Sequence, residues 1–542
     1  MYIKVKKYKD YPERSYLQIV ESYREDKKVR NRVVLNLGRF DTPDAIEKIE
    51  QMIETLLPLS TKYSDLDIGR AISAIESKQF GPLLIFQKLW AELGLGDVLK
   101  QSVSDIPTFF DIERAVFNMV LNRLVAPSSK RQMLSFQDSV YGISKFDLHQ
   151  YYRAMDYLIA NKEKIEKGVL AKVKAQIKGK IDLAFYDTTT LVYHGDDKEE
   201  HSELLDYGFS KDRRSDLKQI VIGVLMSKEG LPLGHETFPG NTNDVTCFKL
   251  MIEKMVVEYE IDRVILVGDR GMISHKNIEL LEMLGLEYVL GYRMRTIPAS
   301  DRAEILSKAN LKTLKENQLE FKEVEYQNKR LLVCYNPERA KLDFDHREHI
   351  LEKLRDKIKS GKIHSIIENK DYIRYLDIEG KAPQLSDKKI KNDELYDGVY
   401  VLTSNAKLTG SQAIEAYKGL WQVEQGFRQL KSELEAGPIY HYTDERIRAH
   451  IMICFLALVL RRFLAIKLKK YSKEASYADC LADLKRVQVA ELKIKQEEVH
   501  LLTEMKEGAK KLFKCLAMPL PEKIVYQSSH VPIFVVPRSP EI

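Results

Sequence analysis

The sequence predicts an α/β protein in which a mixed β-sheet is flanked by helices, and three observations lead to this fold class. Between residues 180 and 295, apolar runs alternate in the order strand, strand, strand, helix, strand, linking helix, strand. Two of the strand-like runs lead into an isolated aspartate, Asp187 and Asp269. Further along, residues 417–431 have the periodicity of a helix whose apolar face is bordered by Tyr, Glu and Lys.

Length and composition narrow the class of protein. A chain of 542 residues is too long for one compact core and predicts two to four domains. The 86 Lys and Arg nearly match the 80 Asp and Glu, so the net charge of +6 favours an anionic partner weakly. Five scattered cysteines without a C-x-x-C pair argue against a disulfide framework or a zinc site and fit a reducing cytoplasm.

Two features bear on membrane association. The first residues carry no apolar segment of the signal-peptide type, so we expect no secretion signal. The longest apolar run, residues 451–460, is too short to span a bilayer. We therefore expect a buried core helix there and no membrane partner.

Residues 1–60 predict a small β/α region. Two strand-like runs, 15–25 and 27–40, flank a charged turn and suggest a hairpin. The stretch 41–58 follows with the pattern of a helix that begins at acidic residues.

Apolar residues spaced three and four apart predict a helical region over 65–178. Pro127 interrupts it, and Ser128 or Ser129 can cap the next helix, which places Lys130 and Arg131 in its first turn. A capped helix start with basic residues suits a phosphate contact. A solvated turn between core helices explains the same pattern equally well.

The first strand of the predicted sheet places Phe185 and Asp187 on one face. A carboxylate in line with core residues is costly unless it is paired or binds a metal ion. Asp269 follows a wholly apolar run, which suggests a strand covered on both faces. Because neighbouring strands lie about 4.8 Å apart, the two aspartates meet if their strands are adjacent and parallel.

On a helical wheel that starts at Tyr417, Glu424 and Lys431 fall at about −20° and −40°, beside the apolar face. Many surface helices share this pattern, and each carboxylate alone could be a cap, a turn residue or half of a salt bridge. Together, three carboxylates without cysteine favour Mg²⁺ or Mn²⁺ over zinc. Two such ions about 3.5–4 Å apart suit phosphodiester chemistry.

Residues 296–395 interrupt this core with strand-like pieces and one charged helix, and predict a β-rich insertion. Strand character returns at 397–404. We therefore expect the core over 180–295 and 396–470. The remaining 471–542 form a C-terminal region to which we assign a role in dimerisation.

These motifs resemble those of insertion-sequence transposases with a ribonuclease-H-like catalytic core and a DDE triad, in particular the insertion-sequence-1634-like branch of the insertion-sequence-4 superfamily. The residues that carry the resemblance are Asp187 in FYDTTT, Asp269 in LVGDRG, and Tyr417, Glu424 and Lys431 in the helix. GNTND at 240–244 and the stretch 439–458 are also family-like. The chain departs from the family where the signature arginine of the helix is replaced by Leu420. Arg428, on the other side of Glu424, either supplies that cation or forms an i,i+4 salt bridge with Glu424.

The resemblance implies a transposase that cleaves DNA at the ends of an insertion sequence and transfers the cut strands into target DNA. It implies two divalent ions, Mg²⁺ or Mn²⁺, with Asp187 bridging both and Asp269 and Glu424 each completing one. The residues expected to bind DNA are Tyr417, Arg428, Lys431, Lys130 and Arg131. The implied partners are double-stranded DNA, as terminal inverted repeats and target, and a second copy of the chain in a bacterial or archaeal cytoplasm.

Two other functions are compatible with the same motifs. A catalytically inactive DNA-binding protein derived from such an element is supported by Leu420 and opposed by the intact carboxylates. A ribonuclease-H-like nuclease would hydrolyse DNA without strand transfer. Joining of the cut ends to a second duplex separates a transposase from such a nuclease.

Overall fold

The chain divides into two compact units in a computed structural model. The smaller unit comprises Met1–Ser77, Val489–Leu502 and Glu522–Tyr526, and the larger unit comprises the rest. The structure describes residues 2–524 except 9–10, 26–27, 40, 43–44, 46, 48–49, 52–71, 105–106, 178–180, 196–201, 212, 258–264, 273, 295–296, 315–318, 361–369, 378–383 and 495–496.

An antiparallel sheet of order β1-β2-β3 opens the smaller unit. Its strands are β1 Tyr2–Tyr8, β2 Tyr11–Glu25 and β3 Lys28–Arg39. The predicted hairpin is confirmed, since β2 and β3 pair down to Glu25 and Lys28. The helix predicted at 41–58 lies largely outside the described residues.

The predicted helical region begins with a strand, β4, Ile72–Gln79, most of which belongs to the smaller unit. Its pairing partner comes from the far end of the chain, which local periodicity cannot reveal. From Gly81 the region is helical as predicted, with one further difference: Asn161 interrupts the run at 148–177 and divides it into two helices. The helices are α1 Gly81–Glu92, α2 Leu95–Ser102, α3 Ile112–Val125, α4 Met133–Asp138, α5 Leu148–Ala160 and α6 Lys162–Gln176.

The centre of the larger unit is a mixed sheet that follows the predicted element order. In chain order its elements are β5 Leu183–Val192, β6 Gln219–Ser227, β7 Pro232–Pro239, α7 Asp244–Val257, β8 Ile265–Gly268, α8 His275–Met283 and β9 Glu287–Gly291. The strands lie in the order β9-β8-β5-β6-β7. β5, β6 and β7 are antiparallel, whereas β5, β8 and β9 are parallel. This is the ribonuclease-H-like topology that the sequence predicts.

The segment 296–395 extends this sheet instead of standing apart from it. Its strands β10, β11 and β12 join β9 through β15, which makes a nine-stranded sheet. The β-rich description fits its first half, whereas its longest element is a helix of 23 residues. The elements are α9 Ala299–Leu306, β10 Lys312–Leu314, β11 Leu319–Tyr326, β12 Lys329–Tyr335, α10 Pro337–Lys359, α11 Lys370–Ile373, β13 Leu376–Asp377, β14 Gln384–Leu385, α12 Asp387–Glu394 and β15 Val399–Ser404.

The chain then returns to helices that cover the sheet. A long helix is buried along most of its length and packs on α3, α5 and β7. It contains the apolar run 451–460, which confirms the predicted core helix. Within the described residues, no helix is both long enough and apolar enough to cross a bilayer. The elements are α13 Gly410–Lys418, α14 Trp421–Arg428, a π-helical turn Gln429–Glu433, α15 Asp444–Tyr471, α16 Tyr477–Lys485, β16 Gln488–Ile494, β17 Glu497–Leu502 and α17 Glu507–Cys515.

Candidate functional site

The sheet register places Asp187 and Asp269 at the same level of two neighbouring strands. Tyr186 pairs with Gly268 in the parallel ladder of β5 and β8, and each aspartate is the next residue. β8 ends at Gly268, so Asp269 lies at a strand end as predicted. β5 continues to Val192, so Asp187 lies inside its strand, at the point where β8 leaves the ladder. The Asp187 side chain is 25% exposed.

Asp187 is a half-buried carboxylate among charged neighbours. Its Oδ1 accepts a hydrogen bond from the Thr188 amide at 2.7 Å and lies 3.7 Å from Lys211 Nζ. Burial raises the pKa of Asp187 to about 6, and Asp244 and Asp269 push it in the same direction, while Lys211 and the Thr188 amide oppose them. A charged Asp187 therefore needs a cation beside it.

Asp244 and Lys211 belong to this group, although the sequence did not single them out. Asp244 begins α7, and its Oδ1 accepts a hydrogen bond from Thr188 Oγ1 and lies 3.9 Å from Lys211 Nζ. Acidic residues are common in the first turn of a helix because the positive end of the helix dipole stabilises their negative charge. The resemblance at GNTND, 240–244, therefore assigns no role to this aspartate.

Asp269 is exposed and held by its own turn. Its Oδ1 accepts hydrogen bonds from the Arg270 amide at 2.7 Å and from the Tyr417 hydroxyl at 3.3 Å. Arg293 fixes this turn, because its guanidinium donates to the carbonyls of Arg270 and Gly271, each at 2.8 Å. Arg293 is a second residue that the sequence did not indicate.

Tyr417 stacks on Tyr400, with ring centroids 6.1 Å apart and planes inclined by 19°. Burial, together with the neighbouring Asp269, raises the pKa of the Tyr417 phenol well above its ordinary value. The hydroxyl therefore stays protonated and donates to Asp269. The helical wheel predicts that Tyr417 lies beside Glu424, whereas its observed hydrogen-bond partner is Asp269, directly after β8.

The stretch 417–431 is not one regular helix. α13 ends at Lys418, and Leu420 and Gln422 donate to carbonyls three residues earlier, at 3.1 and 3.0 Å, before α14 continues. Gly419 lies against Phe185, since a Cβ there would come within 2.3 Å of the Phe185 ring. Phe185 and Asp187 share a face of β5, so this close approach places α14 over the strand that carries Asp187.

Glu424 lies on the exposed side of α14, which packs on β5 and β6. The predicted apolar face is buried at Val423, Phe427 and Leu430. Within the part of the chain that the structure describes, no group of three acidic, histidine or cysteine side chains is arranged to hold a metal ion. Asp187 thus lies close enough to Asp244 and Asp269 for both carboxylates to raise its pKa, and Glu424 lies on the exposed side of α14.

The cations around α14 have different surroundings. Arg428 is exposed, and among the described residues no ion pair joins it to Glu424. Lys431 and Leu420 are half-buried. Arg462 of α15 is buried and donates to the Gly230 carbonyl at 2.6 Å and to the side-chain oxygens of Gln422 and Gln425, which ties α14 to the turn between β6 and β7.

Lys130 and Arg131 follow the predicted cap but face different ways. Ser129 caps a short 3₁₀ turn in a capping box with Gln132, which confirms the predicted helix start. Arg131 is exposed, whereas Lys130 is only 4% exposed, and burial lowers the pKa of its ammonium to about 7. A surface phosphate contact through Lys130 does not fit this burial.

A cleft of about 920 Å³ leads away from Asp269. Basic and aromatic side chains line it, among them Arg270, Arg293, Arg339, Tyr292, Tyr396, Tyr400 and Tyr417. Guanidinium groups can bind phosphate and aromatic rings can stack on bases. Asp269 and Asp343 line the same cleft, and Arg339 forms an ion pair with Asp343.

Comparisons with known proteins agree with this chemistry. A model described as the IS1634 family transposase N-terminal domain matches residues 3–65, and one described as the transposase DDE domain matches 178–460, more than half of the chain. No curated protein matches. A cryo-EM structure of the piggyBac transposase synaptic complex with hairpin DNA matches at 12% identity and a TM-score of 0.37, covering 75% of this chain and 79% of the other. Neither the fold nor the function rests on so distant a likeness.

Proposed function

The chain belongs to the DDE transposases, and on that premise we propose that it cuts DNA at the ends of an insertion sequence and joins those ends to target DNA. The observation that carries the assignment of the site is the pairing of Tyr186 with Gly268, which sets Asp187 beside Asp269 where β8 leaves the sheet. Asp269 also lines the cleft whose walls carry Arg and Tyr side chains.

A DDE domain implies the use of divalent metal. The donors around Asp187 fit a hard cation, because they are carboxylate, hydroxyl and carbonyl oxygens. We propose two ions, Mg²⁺ or Mn²⁺, held by Asp187, Asp269 and Glu424. When bound, such ions activate the attacking oxygen and stabilise the leaving oxygen. Glu424 is exposed on α14, and the proposal requires its side chain to turn toward the aspartates when metal and DNA bind.

The chain's own residues would position the DNA. Arg428 can hold a phosphate through two parallel hydrogen bonds, and Lys431 adds a mobile point charge. Tyr417 orients Asp269 through its hydroxyl and lines the cleft. We propose that the scissile phosphate lies between this set and the aspartates.

We propose the β1-β2-β3 sheet as a second DNA surface. Residues 1–40 contain eleven Lys and Arg and five Asp and Glu, a net charge of +6 that equals the net charge of the whole chain. Arg30 and Arg32 form ion pairs with Glu25 and Glu21. The lysines of β1 are exposed, and no ion pair of theirs occurs among the described residues. Arg131 stays in the proposal as a separate contact.

We further propose that two copies act together, because an element has two ends that must be brought to one target. The sequence region 471–542 remains our candidate for that contact. This action would take place on DNA in a bacterial or archaeal cytoplasm.

Incubation of the full chain with DNA carrying the element ends, a target duplex and Mg²⁺ tests the proposed reaction. We expect cut ends and joined products, both absent for Asp187→Ala. Cut ends without joined products would instead indicate a nuclease. Binding without cleavage by the wild-type chain would indicate the inactive DNA-binding protein.

A further inference from the structure

Lys211 occupies an oxygen-lined position at the Asp187 end of the site. The residue lies in the connection between β5 and β6. Its Nζ donates to the Thr188 carbonyl at 2.6 Å and to Thr188 Oγ1 at 2.9 Å. The same ammonium lies 3.7 Å from Asp187 Oδ1 and 3.9 Å from Asp244 Oδ1. One cation is thus surrounded by two carboxylates, a carbonyl and a hydroxyl.

This set of oxygens is also what Mg²⁺ and Mn²⁺ select. The ammonium supplies one positive charge to two carboxylates, so part of their negative charge stays uncompensated. A divalent ion at Asp187 would lie within a few ångströms of the ammonium, and like charges at such a distance repel strongly. The ion and the ammonium therefore compete for Asp187.

We infer that Lys211 is a tethered cation that holds Asp187 and Asp244 before metal binds and that must move away when metal binds, so that it lowers the affinity of the site for divalent ions. The inference rests on the proposed function only in that Asp187 is taken as a metal ligand. It adds a residue that sets metal affinity and that lies outside the DDE triad.

A purely structural role for the same ammonium would be to tie its loop to β5. The backbone already does this, because the Lys211 amide donates to Thr190 Oγ1 at 3.1 Å. Loss of the side-chain charge should therefore leave the loop in place. The two roles differ in what happens to metal affinity.

The test measures Mn²⁺ binding to the full chain without DNA, by the loss of the free Mn²⁺ signal in electron paramagnetic resonance. We expect Lys211→Met to bind Mn²⁺ tighter, on the order of fivefold or more, since the ion no longer competes with an ammonium for Asp187 and Asp244. Lys211→Arg keeps the charge and should stay near the wild-type affinity. Lys145→Met is the matched control, because it removes an exposed lysine whose ion pair is with Asp138.

Unchanged or weaker binding by Lys211→Met, with the thermal unfolding midpoint kept, would overturn the inference. If that variant unfolds, Lys211→Gln replaces it in the same measurement. Asp187→Ala separates this failure from a failure of the proposed site. Loss of Mn²⁺ binding in Asp187→Ala supports Asp187 as a ligand whatever Lys211 does, whereas wild-type binding would refute the site itself.

Discussion

Burial changes what Lys130 and Asp187 can do. Lys130 lies beside Arg123, and within the described residues its Nζ has no hydrogen-bond partner. Its pKa of about 7 means that the folded protein holds that proton weakly. Asp187 has the opposite shift, to about 6, so the folded protein holds its proton more tightly than an unfolded chain does. Burial disfavours the charged form of both groups. Of the two, only Asp187 has an oppositely charged side chain beside it, that of Lys211, which is consistent with a cation site.

Lys130→Met should stabilise the protein. Because the pKa of Lys130 is lower in the folded state than its ordinary 10.5, the unfolded chain binds the proton more tightly, and wild-type stability rises as pH increases from about 7 to 10. Removal of the buried cation should raise the free energy of unfolding by about 1–4 kcal/mol at pH 7. Urea unfolding at pH 7 and pH 9.5 checks this, with a smaller gain expected at the higher pH. Arg131→Met, at an exposed neighbour, should change neither value, and an equal gain in both variants would contradict the account.

Arg428→Lys should reduce cleavage or end binding. The exposed Arg428 is not paired with Glu424 in the described structure, so its guanidinium is available to hold a phosphate through two hydrogen bonds, which lysine cannot do. Cleavage rates and end affinities of Arg428→Lys and Leu420→Arg, measured side by side, decide whether Arg428 replaces the missing signature arginine. Full activity in Arg428→Lys would show that it does not.

The position of α14 depends on contacts from outside its own sequence. Gly419 allows the helix to approach Phe185, and Arg462 joins Gln422 and Gln425 to the β6–β7 turn. Gln422 and Gln425 flank Glu424. We therefore propose that the buried guanidinium positions Glu424 indirectly, through these two glutamines.

Replacement of Arg462 by Lys should slow cleavage more than it weakens end binding. The single ammonium of lysine cannot replace both guanidinium contacts, so part-buried oxygens of Gln422 and Gln425 lose a donor, at a cost of about 1–3 kcal/mol in unfolding free energy. Single-turnover cleavage at saturating end DNA, well below the unfolding midpoint, separates positioning from stability. The double variant Gln422→Ala with Gln425→Ala removes the acceptors and should behave alike. A variant that unfolds earlier yet cleaves at the wild-type rate would limit Arg462 to stability.

The sequence predicts the helices and strands better than the orientation of their side chains relative to one another. The strand order around β5 and β8 followed from apolar runs, and the buried face of α14 followed from local periodicity, which is reliable over two turns. A regular helical wheel does not give the relative directions of Tyr417 and Glu424, because the hydrogen bonds donated by Leu420 and Gln422 tighten the turn between them. Lys211 and Asp244 lie more than twenty residues away from Asp187 in the sequence. Local periodicity does not predict such long-range contacts.

The excess positive charge and the candidate catalytic residues lie in different parts of the chain. The net positive charge resides in residues 1–40, whereas the aspartates and the cleft belong to the larger unit. The insertion at 296–395 contributes strands to the sheet and Arg339 to the cleft. We propose that residues 1–40 bind DNA independently of its sequence and that the larger unit catalyses the reaction.

Substitution of Lys4, Lys6 and Lys7 by Gln should lower the affinity for DNA. It should also make that affinity less dependent on salt concentration. If all three contact phosphates, the slope of log affinity against log salt should fall in magnitude by about 2–3. Fluorescence anisotropy with end DNA at several salt concentrations measures it. The control replaces three exposed lysines near the end of α15, Lys469, Lys470 and Lys473, by Gln. Equal slopes for both triple variants would remove β1 from the DNA surface.

The proposed metal site is tested most directly by the anomalous diffraction of Mn²⁺ in crystals of the full chain bound to end DNA. We expect manganese peaks about 2.0–2.3 Å from carboxylate oxygens of Asp187 and Asp269, with Glu424 turned inward from the exposed side of α14 to complete the set. Lys211 Nζ should then have left Asp187. Manganese bound away from Asp187 and Asp269, or Glu424 still facing solvent in the metal-loaded complex, would contradict it.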